Sequence, residues 1–487
     1  MSLTIRDLMT DADLFGDQFA GDSWKAWQAL LAGFFGLALD DAELEHWRTL
    51  TQQEQPQEAA EELWLVIGRR GGKSQCAALL IVFLACFFDY TDRLSPGEVA
   101  TVACLAADRK QARVIFRYVS GLLNSNPMLK RLIVSEDKES ITLSNRVVIE
   151  IGTASFRSTR GYTFAGVIAD ELAFWRSDES ANPDSEILNA LRPGLGTLNG
   201  KLICLSSPYS KRGELWNTYR RYYGKPGPVL VAQTDTRTMN PTFPERLIKQ
   251  AYERDPEAAK AEYGGQFRSD LEAFIQRETV EACTRRNQLK LPYVVGVQYV
   301  GFVDPSGGGA DEFTLAIGHV ENERRIVDLV EARKGVPAEI AQEYAALLKE
   351  YRIHTIEGDR YGGTWPADEF GRCGIKYQPS KKVRTDLYID LLPTLNSSTV
   401  ELPPDDRLVN QLCALERRTS RSGKDSIDHP TGGHDDRANA VAGVVSLLAD
   451  HRQNRPAVFG TYGIPADNRP PLYKNEIFPE FGPRDIT

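Results

Sequence analysis

Basic charge is in short supply. The 487 residues carry 58 Lys+Arg against 67 Asp+Glu, a formal net charge of −9. Taken as a sum, this argues against a nucleic-acid partner, which usually meets a basic footprint. The sum hides its distribution. Residues 1–62 hold 3 basic and 13 acidic side chains, and the other 425 hold 55 and 54, so the acidity belongs to an N-terminal segment. Cysteine is sparse as well. The seven (76, 86, 104, 204, 283, 373, 413) are scattered and never spaced as CxxC. That excludes a disulfide framework and a cysteine-based zinc site, and they read as reduced core residues of a cytoplasmic protein. Long hydrophobic runs are missing too. The longest, residues 77–88, has about 12 residues, too short to cross a bilayer, and the opening Met-Ser-Leu-Thr-Ile-Arg-Asp is no secretory signal. No membrane partner is expected.

The chain divides into five stretches. Residues 1–62 read as an acidic helical segment packed on the second stretch, with Trp24, Trp27, Leu30, Leu31 and Phe34 at helical spacing. Residues 63–270 alternate short apolar runs (63–67, 99–105, 166–169, 202–205, 229–232) with amphipathic helices (74–88, 109–123, 214–223). Strand and helix in alternation predict a mostly parallel sheet. Residues 271–295 form a charged linker. Residues 296–450 restart with three apolar runs (300–303, 314–318, 325–329) that suit a meander, then helix 338–351, strand 355–357 and helix 437–448, a mixed α/β domain. Residues 451–487 hold 6 of the 26 prolines and read as an extended tail.

Leu65-Val-Ile-Gly-Arg-Arg-Gly-Gly-Lys-Ser74 runs from an apolar strand through glycines into an apolar helix, the setting a P-loop requires. Glycines let backbone N–H groups wrap phosphates, Lys73 reaches the β/γ oxygens, Ser74 holds Mg²⁺, and the helix N-terminus adds partial positive charge. The spacing departs from GxxxxGK[ST], because Ile67 stands five residues before Gly72. The second half of such a site is a strand ending in an acid. Gly166-Val-Ile-Ala-Asp170-Glu171 supplies it, with Asp170 for the metal and Glu171 to orient the attacking water. One strand–helix unit is expected between the two halves. Arg160, on a Gly-flanked loop, is a candidate arginine finger, and Arg69 and Arg70 compete with it. Ser206-Ser207-Pro208 reads either as a γ-phosphate sensor or as a simple turn.

A second constellation is acidic. Asp304 ends one apolar strand before Ser306-Gly-Gly-Gly309, Glu357-Gly-Asp359 ends another before Gly362-Gly363, and Gly433-His434-Asp435-Asp436 opens the last helix. Carboxylates converging in this way repel one another unless cations neutralise them. Oxygen-rich clusters select Mg²⁺ or Mn²⁺, and paired ions suit in-line phosphodiester cleavage. His429 and His434 lack zinc spacing, and His434 more simply supports the acidic turn.

In this order, the arginine-bearing P-loop, the Asp-Glu strand end, the Ser-Ser-Pro turn and the three-aspartate region resemble the large terminase subunit of tailed bacteriophages, over roughly residues 63–450. The resemblance implies a P-loop (ASCE-type) ATPase with an extra strand between its Walker motifs, followed by a ribonuclease H-like nuclease domain. It implies ATP and Mg²⁺ as cofactors, with Mn²⁺ able to substitute in the nuclease. The implied activity is ATP-driven translocation of double-stranded DNA into the procapsid and two-metal cutting of concatemeric DNA. By the same resemblance Arg69, Arg70, Gly71, Gly72, Lys73 and Ser74 bind nucleotide, Asp170 holds its metal, Glu171 is catalytic and Arg160 acts in trans. Ser206 and Ser207 match the coupling motif. Asp304, Asp359 and Asp435 match the nuclease triad, with Asp311 and Asp436 as auxiliary metal acids. Implied partners are the portal protein, the small terminase subunit and further copies of the chain in a pentameric ring. The implied location is the host cytoplasm, transiently the procapsid portal, and not the mature virion. Two positions depart from the pattern: Gln28, Gln52 and Gln53 compete for adenine contact, and Glu357 rivals Asp359.

Positive charge near the acids comes from Lys381, Lys382 and Arg384, and from Arg417, Arg418, Arg421 and Lys424, expected to contact DNA phosphates. In the first domain Lys211, Arg212, Arg220 and Arg221 lie in a stretch, 201–237, with 7 basic against 2 acidic residues. The competing reading, an ATP-dependent repair nuclease or helicase, predicts further helicase motifs and a second ATPase-like half. Neither is found.

Overall fold

Strand β1 (Glu62–Ile67) is apolar and buried at every position but its first, and so are β6 (Thr163–Asp170) and β7 (Lys201–Ser206) apart from their buried polar last residues. Such runs suit strands covered on both faces. In the computed structural model, which describes residues 3–154, 161–175, 183–306, 311–359, 364–419, 425–430 and 433–453, these strands lie side by side. With β2 (Ala100–Ala106), β3 (Ile133–Glu136), β4 (Ser140–Leu143), β5 (Val147–Thr153) and β8 (Val229–Thr234) they form a sheet of order β3-β4-β5-β2-β6-β7-β1-β8. The five strands from β2 through β8 are parallel throughout. β7 stands between β1 and β6, so the P-loop strand and the Asp170 strand are not neighbours. That is the order of an ASCE-type P-loop ATPase.

The reading of a single strand–helix unit between the P-loop and Asp170 understates this region. After β2 and helix Arg109–Ser125, β3, β4 and β5 add an antiparallel extension, β5 pairing parallel with β2. These strands are short and half exposed, which left no continuous apolar run to find.

The P-loop helix, Lys73–Cys86, is apolar all round and buried from Cys76 to Ala85, as a helix with no water-facing side must be. Its outer side is covered by the acidic N-terminal segment. Trp27, Leu30, Leu31 and Phe34 of helix Lys25–Phe34 share one core with Leu79, Leu80 and Phe83. The charges of that segment face outward while its aromatic stripe completes the core.

β9 (Leu271–Ala273), inside the charged connector, pairs with β16 (Glu416–Thr419), which also pairs with β17 (Asp425–Asp428). A third sheet is built on β10 (Tyr299–Asp304), β11 (Phe313–Glu321) and β12 (Arg324–Arg333), an antiparallel meander. β13 (Thr355–Gly358) and β14 (Lys376–Pro379) continue it in parallel on the far side of β10, and β15 (Val400–Glu401) borders β12. Numbered from β10, the five main strands run 3-2-1-4-5 across the sheet, the ribonuclease H-like order. Helix Pro337–Glu350 covers one face through Ile340, Tyr344 and Leu348. Helices Arg384–Asn396 and Asp436–Gln453 cover the other. The last of these rides close to β10: a Cβ on Gly443 would meet the Phe302 ring at 2.3 Å. Only glycine fits there, and this approach sets the start of the helix beside the end of β10.

Residues Met1–Leu448 form one compact unit and Ala449–Thr487 a second, of which the end of the closing helix lies among the described residues. No helix among the described residues is long and apolar enough to cross a membrane.

Candidate active sites

Parallel strands end on one edge, so the C-terminal ends of β1, β6 and β7 bring Lys73, Asp170 and Ser206 together. The loop from Gly68 to Gly72 is held from several sides. Gly72 has φ +91° and caps the helix, and a Cβ there would press on Trp27 Nε1 at 3.0 Å. Trp27 itself donates to Gly71 O at 2.9 Å. Thr236 Oγ1 donates to Arg69 O at 2.7 Å and Asn240 Nδ2 to Arg70 O at 2.9 Å. The loop is thus fixed before any phosphate arrives.

Lys73 is buried, and its Nζ donates to Ile67 O at 2.8 Å and to Ser207 Oγ at 3.0 Å. Burial lowers its pKa, opposed by Glu171 and Asp170. Asp170 is pushed up to about 7, first by burial and then by Glu171, with Lys73 acting the other way. Glu171 adopts φ +50°, a conformation a non-glycine residue takes only where its surroundings impose it. There its Oε2 accepts the Ser207 N–H at 3.3 Å and lies 3.2 Å from Ser206 Oγ. Ser206 and Ser207 thus both touch Glu171, and Ser207 touches Lys73 as well. An acid whose ionisation is suppressed by burial and a neighbouring acid fits a divalent cation, and a buried lysine in a glycine loop at a helix start fits a polyphosphate. Arg69 pairs with Glu262 at 3.2 Å, and Arg70 is exposed with φ +65°. Arg160 lies outside the described residues. Gln28 donates to Phe19 O and Gln53 to Lys225 O, while Gln52 is exposed.

The second site gathers at the end of β10. Asp304 is buried and Asp359 follows β13, the strand next to β10. Asn439, one turn into the closing helix, donates from Nδ2 to Asp304 Oδ2 at 2.9 Å and to Asp359 Oδ2 at 3.3 Å. The sequence reading missed Asn439. Its signal was an amide four residues after Asp435, hence on the same face, just before the apolar stretch 440–445. Asp359 shares this amide with Asp304, and Glu357 stands two residues earlier in β13. Burial raises Asp304 well above the usual carboxylate range, and Asp436, Asp435 and Asp359 add to the rise against the Asn439 hydrogen bond. Asp436 is also raised by burial, while its Oδ2 accepts Glu312 N–H at 3.1 Å. Asp311, His434 and Asp436 bring one ligand atom each to within 4.8 Å of one another, and His434 Nδ1 is 3.1 Å from Asp311 Oδ1. Asn439 Oδ1 is buried with no partner among the described residues. An oxygen-rich set with repelling carboxylates and an orphaned amide oxygen fits Mg²⁺ or Mn²⁺.

Asp435 is placed differently. Arg384 Nη1 lies 3.1 and 3.2 Å from its two oxygens and Tyr388 donates to Oδ2 at 2.7 Å. Three of the other basic residues expected on DNA also carry acids. Lys382 pairs with Asp390 at 2.8 Å, Arg417 with Asp425, and Arg418 with Glu416 at 3.7 Å. Lys381 is exposed; Arg421 and Lys424 lie outside the described residues. Lys211 follows Ser210 in the turn after β7, and Arg212 pairs with Glu416 at 2.5 Å.

The chain is similar to phage large terminases. It aligns with the large terminase of a thermophilic bacteriophage over 87% of this chain and 98% of that one, at 11% identity and a TM-score of 0.38. With the large terminase of bacteriophage HK97 it aligns over 80% and 91%, at 14% identity and a TM-score of 0.36. With the large terminase nuclease of thermophilic phage G20c it aligns over 34% and 95%, at 20% identity and a TM-score of 0.31. No protein-family model and no curated protein matches the sequence.

Proposed function

We propose that this chain is the large terminase subunit of a tailed phage, an ATPase that drives double-stranded DNA into a procapsid and a metal-dependent endonuclease that cuts the packaged concatemer. One observation carries the reading. A single chain holds a P-loop whose lysine reaches Ser207 beside Glu171, and a ribonuclease H-ordered sheet whose acids Asp304 and Asp359 share Asn439.

In the first site Lys73 and the loop N–H groups bind the phosphates, and Ser74 and Asp170 hold Mg²⁺. Glu171 orients the attacking water, with its carboxylate fixed by Ser206 and Ser207. An arginine from a neighbouring copy, Arg160 in this reading, completes the charge. In the second site Asp304, Asp359 and Asp435 hold two divalent cations, with Asp311 and Asp436 in support, and Mn²⁺ substitutes for Mg²⁺. Bound cations would stabilise charge on the attacking and leaving oxygens of the phosphodiester. Asn439 holds two of the acids apart and in register until they arrive. Lys381, Lys382, Arg384, Arg417, Arg418, Arg421 and Lys424 contact DNA phosphates. The portal, the small terminase subunit and a pentameric ring at the procapsid are the partners, met in the host cytoplasm.

ATP hydrolysis and plasmid cleavage, measured on the same preparations, test this. Lys73→Ala and Glu171→Gln are expected to lose ATP turnover, Glu171→Gln by at least about 100-fold, and to keep metal-dependent cleavage. Asp304→Ala is expected to keep ATP turnover and lose cleavage. Normal cleavage by Asp304→Ala contradicts the nuclease assignment, and normal turnover by Glu171→Gln contradicts the ATPase assignment.

A further inference from the structure

Arg384, expected on DNA, has its guanidinium on an acid of the cleavage site. Nη1 lies 3.1 Å from Oδ1 and 3.2 Å from Oδ2 of Asp435, and 3.4 Å from Asp428 Oδ1. Tyr388, one turn along the same helix, donates to Asp435 Oδ2 at 2.7 Å. The Asp435 side chain is 4% exposed, whereas that of Arg384 is 37% exposed. The acid is therefore enclosed, and the cation beside it has access to water. Asp304 and Asp359 share instead the neutral amide of Asn439. Asp435 is thus matched with a full positive charge.

A guanidinium and a divalent cation cannot occupy the same pair of oxygens, because like charges at such range repel strongly in a partly buried site. The guanidinium also has a second natural partner. Its planar fork matches a phosphodiester as well as it matches a carboxylate. A duplex backbone entering the site offers that partner at the moment it is needed.

We propose that Arg384 is the resident counter-ion of Asp435 and exchanges it for a backbone phosphate of the duplex, so that the cation at Asp435 binds only together with DNA. This rests on the nuclease reading above. Arg384 acts here as a positioning residue: without DNA it keeps the cation set incomplete, and with DNA it clamps the strand beside it.

The test is a Mn²⁺ titration of the full chain without nucleotide, followed by electron paramagnetic resonance, in the absence and presence of a phosphorothioate duplex that resists cutting. The wild type is expected to take up a further Mn²⁺ when duplex is added. In Arg384→Gln that Mn²⁺ is expected to bind at least about tenfold more tightly without DNA, a change of the size seen when residues around a metal site are altered, and duplex no longer promotes it. Arg384→Lys, which keeps the charge without the fork, is expected to keep the weak DNA-free binding, and it serves if the glutamine variant does not fold. Tyr388→Phe removes a hydrogen bond and no charge, so it is expected to leave Mn²⁺ binding unchanged or weaker. If Arg384→Gln instead behaves like Tyr388→Phe, Arg384 is a mere brace and the proposal is overturned. If the lysine variant gains DNA-free affinity, charge is not the cause and the proposal is likewise overturned. A wild type that binds no Mn²⁺ with or without duplex overturns the nuclease reading and the proposal together. A wild type that does respond to duplex, with a glutamine variant that responds equally, overturns the proposal alone.

Discussion

Arg212 Nη2 donates to Glu416 Oε1 at 2.5 Å, joining the turn after β7 to a strand 204 residues later. Tyr209 adds its hydroxyl to the same carboxylate at 3.0 Å, two residues beyond the serine that meets Lys73. The Glu416 side chain is 1% exposed. Tyr209 and Arg212 thus put the turn after β7 in direct contact with β16, whose partner β17 ends at Asp428 beside Arg384.

Removing Glu416 leaves Arg212 without its acid in a mostly enclosed place. Glu416→Ala is expected to lower stability to urea by about 2–3 kcal/mol, below the full cost of stranding a buried charge because Arg212 keeps some water. The double variant Arg212→Ala/Glu416→Ala is expected to lose less than the two single losses added together. Strict additivity in that cycle contradicts a working pair.

Asn439 is the second lever. Asn439→Ala is expected to cut DNA cleavage by about 10–100-fold at limiting Mg²⁺, as loss of a residue that orients metal ligands does, with ATP turnover unchanged. A cleavage rate within twofold of wild type shows that the amide does not set the acids.

Gly443 fixes the same geometry from behind. Gly443→Ala is expected to cost about 1–3 kcal/mol through overpacking against Phe302, measured by thermal unfolding. Adding Phe302→Leu is expected to recover part of it. No recovery places the strain elsewhere.

Much of this was legible because the chemistry sits in local patterns. Gly-Lys-Ser after an apolar run, Asp170-Glu171 at a strand end and Asp304 before glycines each announce themselves within a few residues. The meander followed from three apolar runs, and the ribonuclease H-like domain from the family resemblance alone. Other features depend on contacts across the chain. Trp27 reads as core, and nothing nearby shows that its indole reaches Gly71 from 44 residues away. Asn439 is one polar residue in a buried helix, a pattern shared by many structural asparagines. Arg384, Arg417 and Arg418 read as free basic charge because their acids, Asp435, Asp425 and Glu416, meet them only in the fold. The half-exposed strands β3 to β5 carry too little periodicity to separate from loop.

Acid should weaken the join at the connector. Arg268 donates to Asp270 at 2.9 and 2.6 Å, and this hydrogen-bonded partner holds Asp270 below the usual carboxylate range. A depressed folded pKa contributes stability that is complete above about pH 4, the unfolded value, and is lost as pH falls through the folded one. Asp270→Asn is therefore expected to be less stable than wild type at pH 7, with the gap closing below about pH 4. A gap that persists unchanged at low pH contradicts the ionic origin.

The most direct test of the two-site account is anomalous diffraction from crystals of the chain with Mn²⁺ and an uncleavable duplex. The account predicts two peaks roughly 3.5–4 Å apart, both in contact with Asp304 or its neighbours Asp359 and Asp435. Absence of any peak at Asp304, or a single peak confined to Asp311, His434 and Asp436, would contradict it.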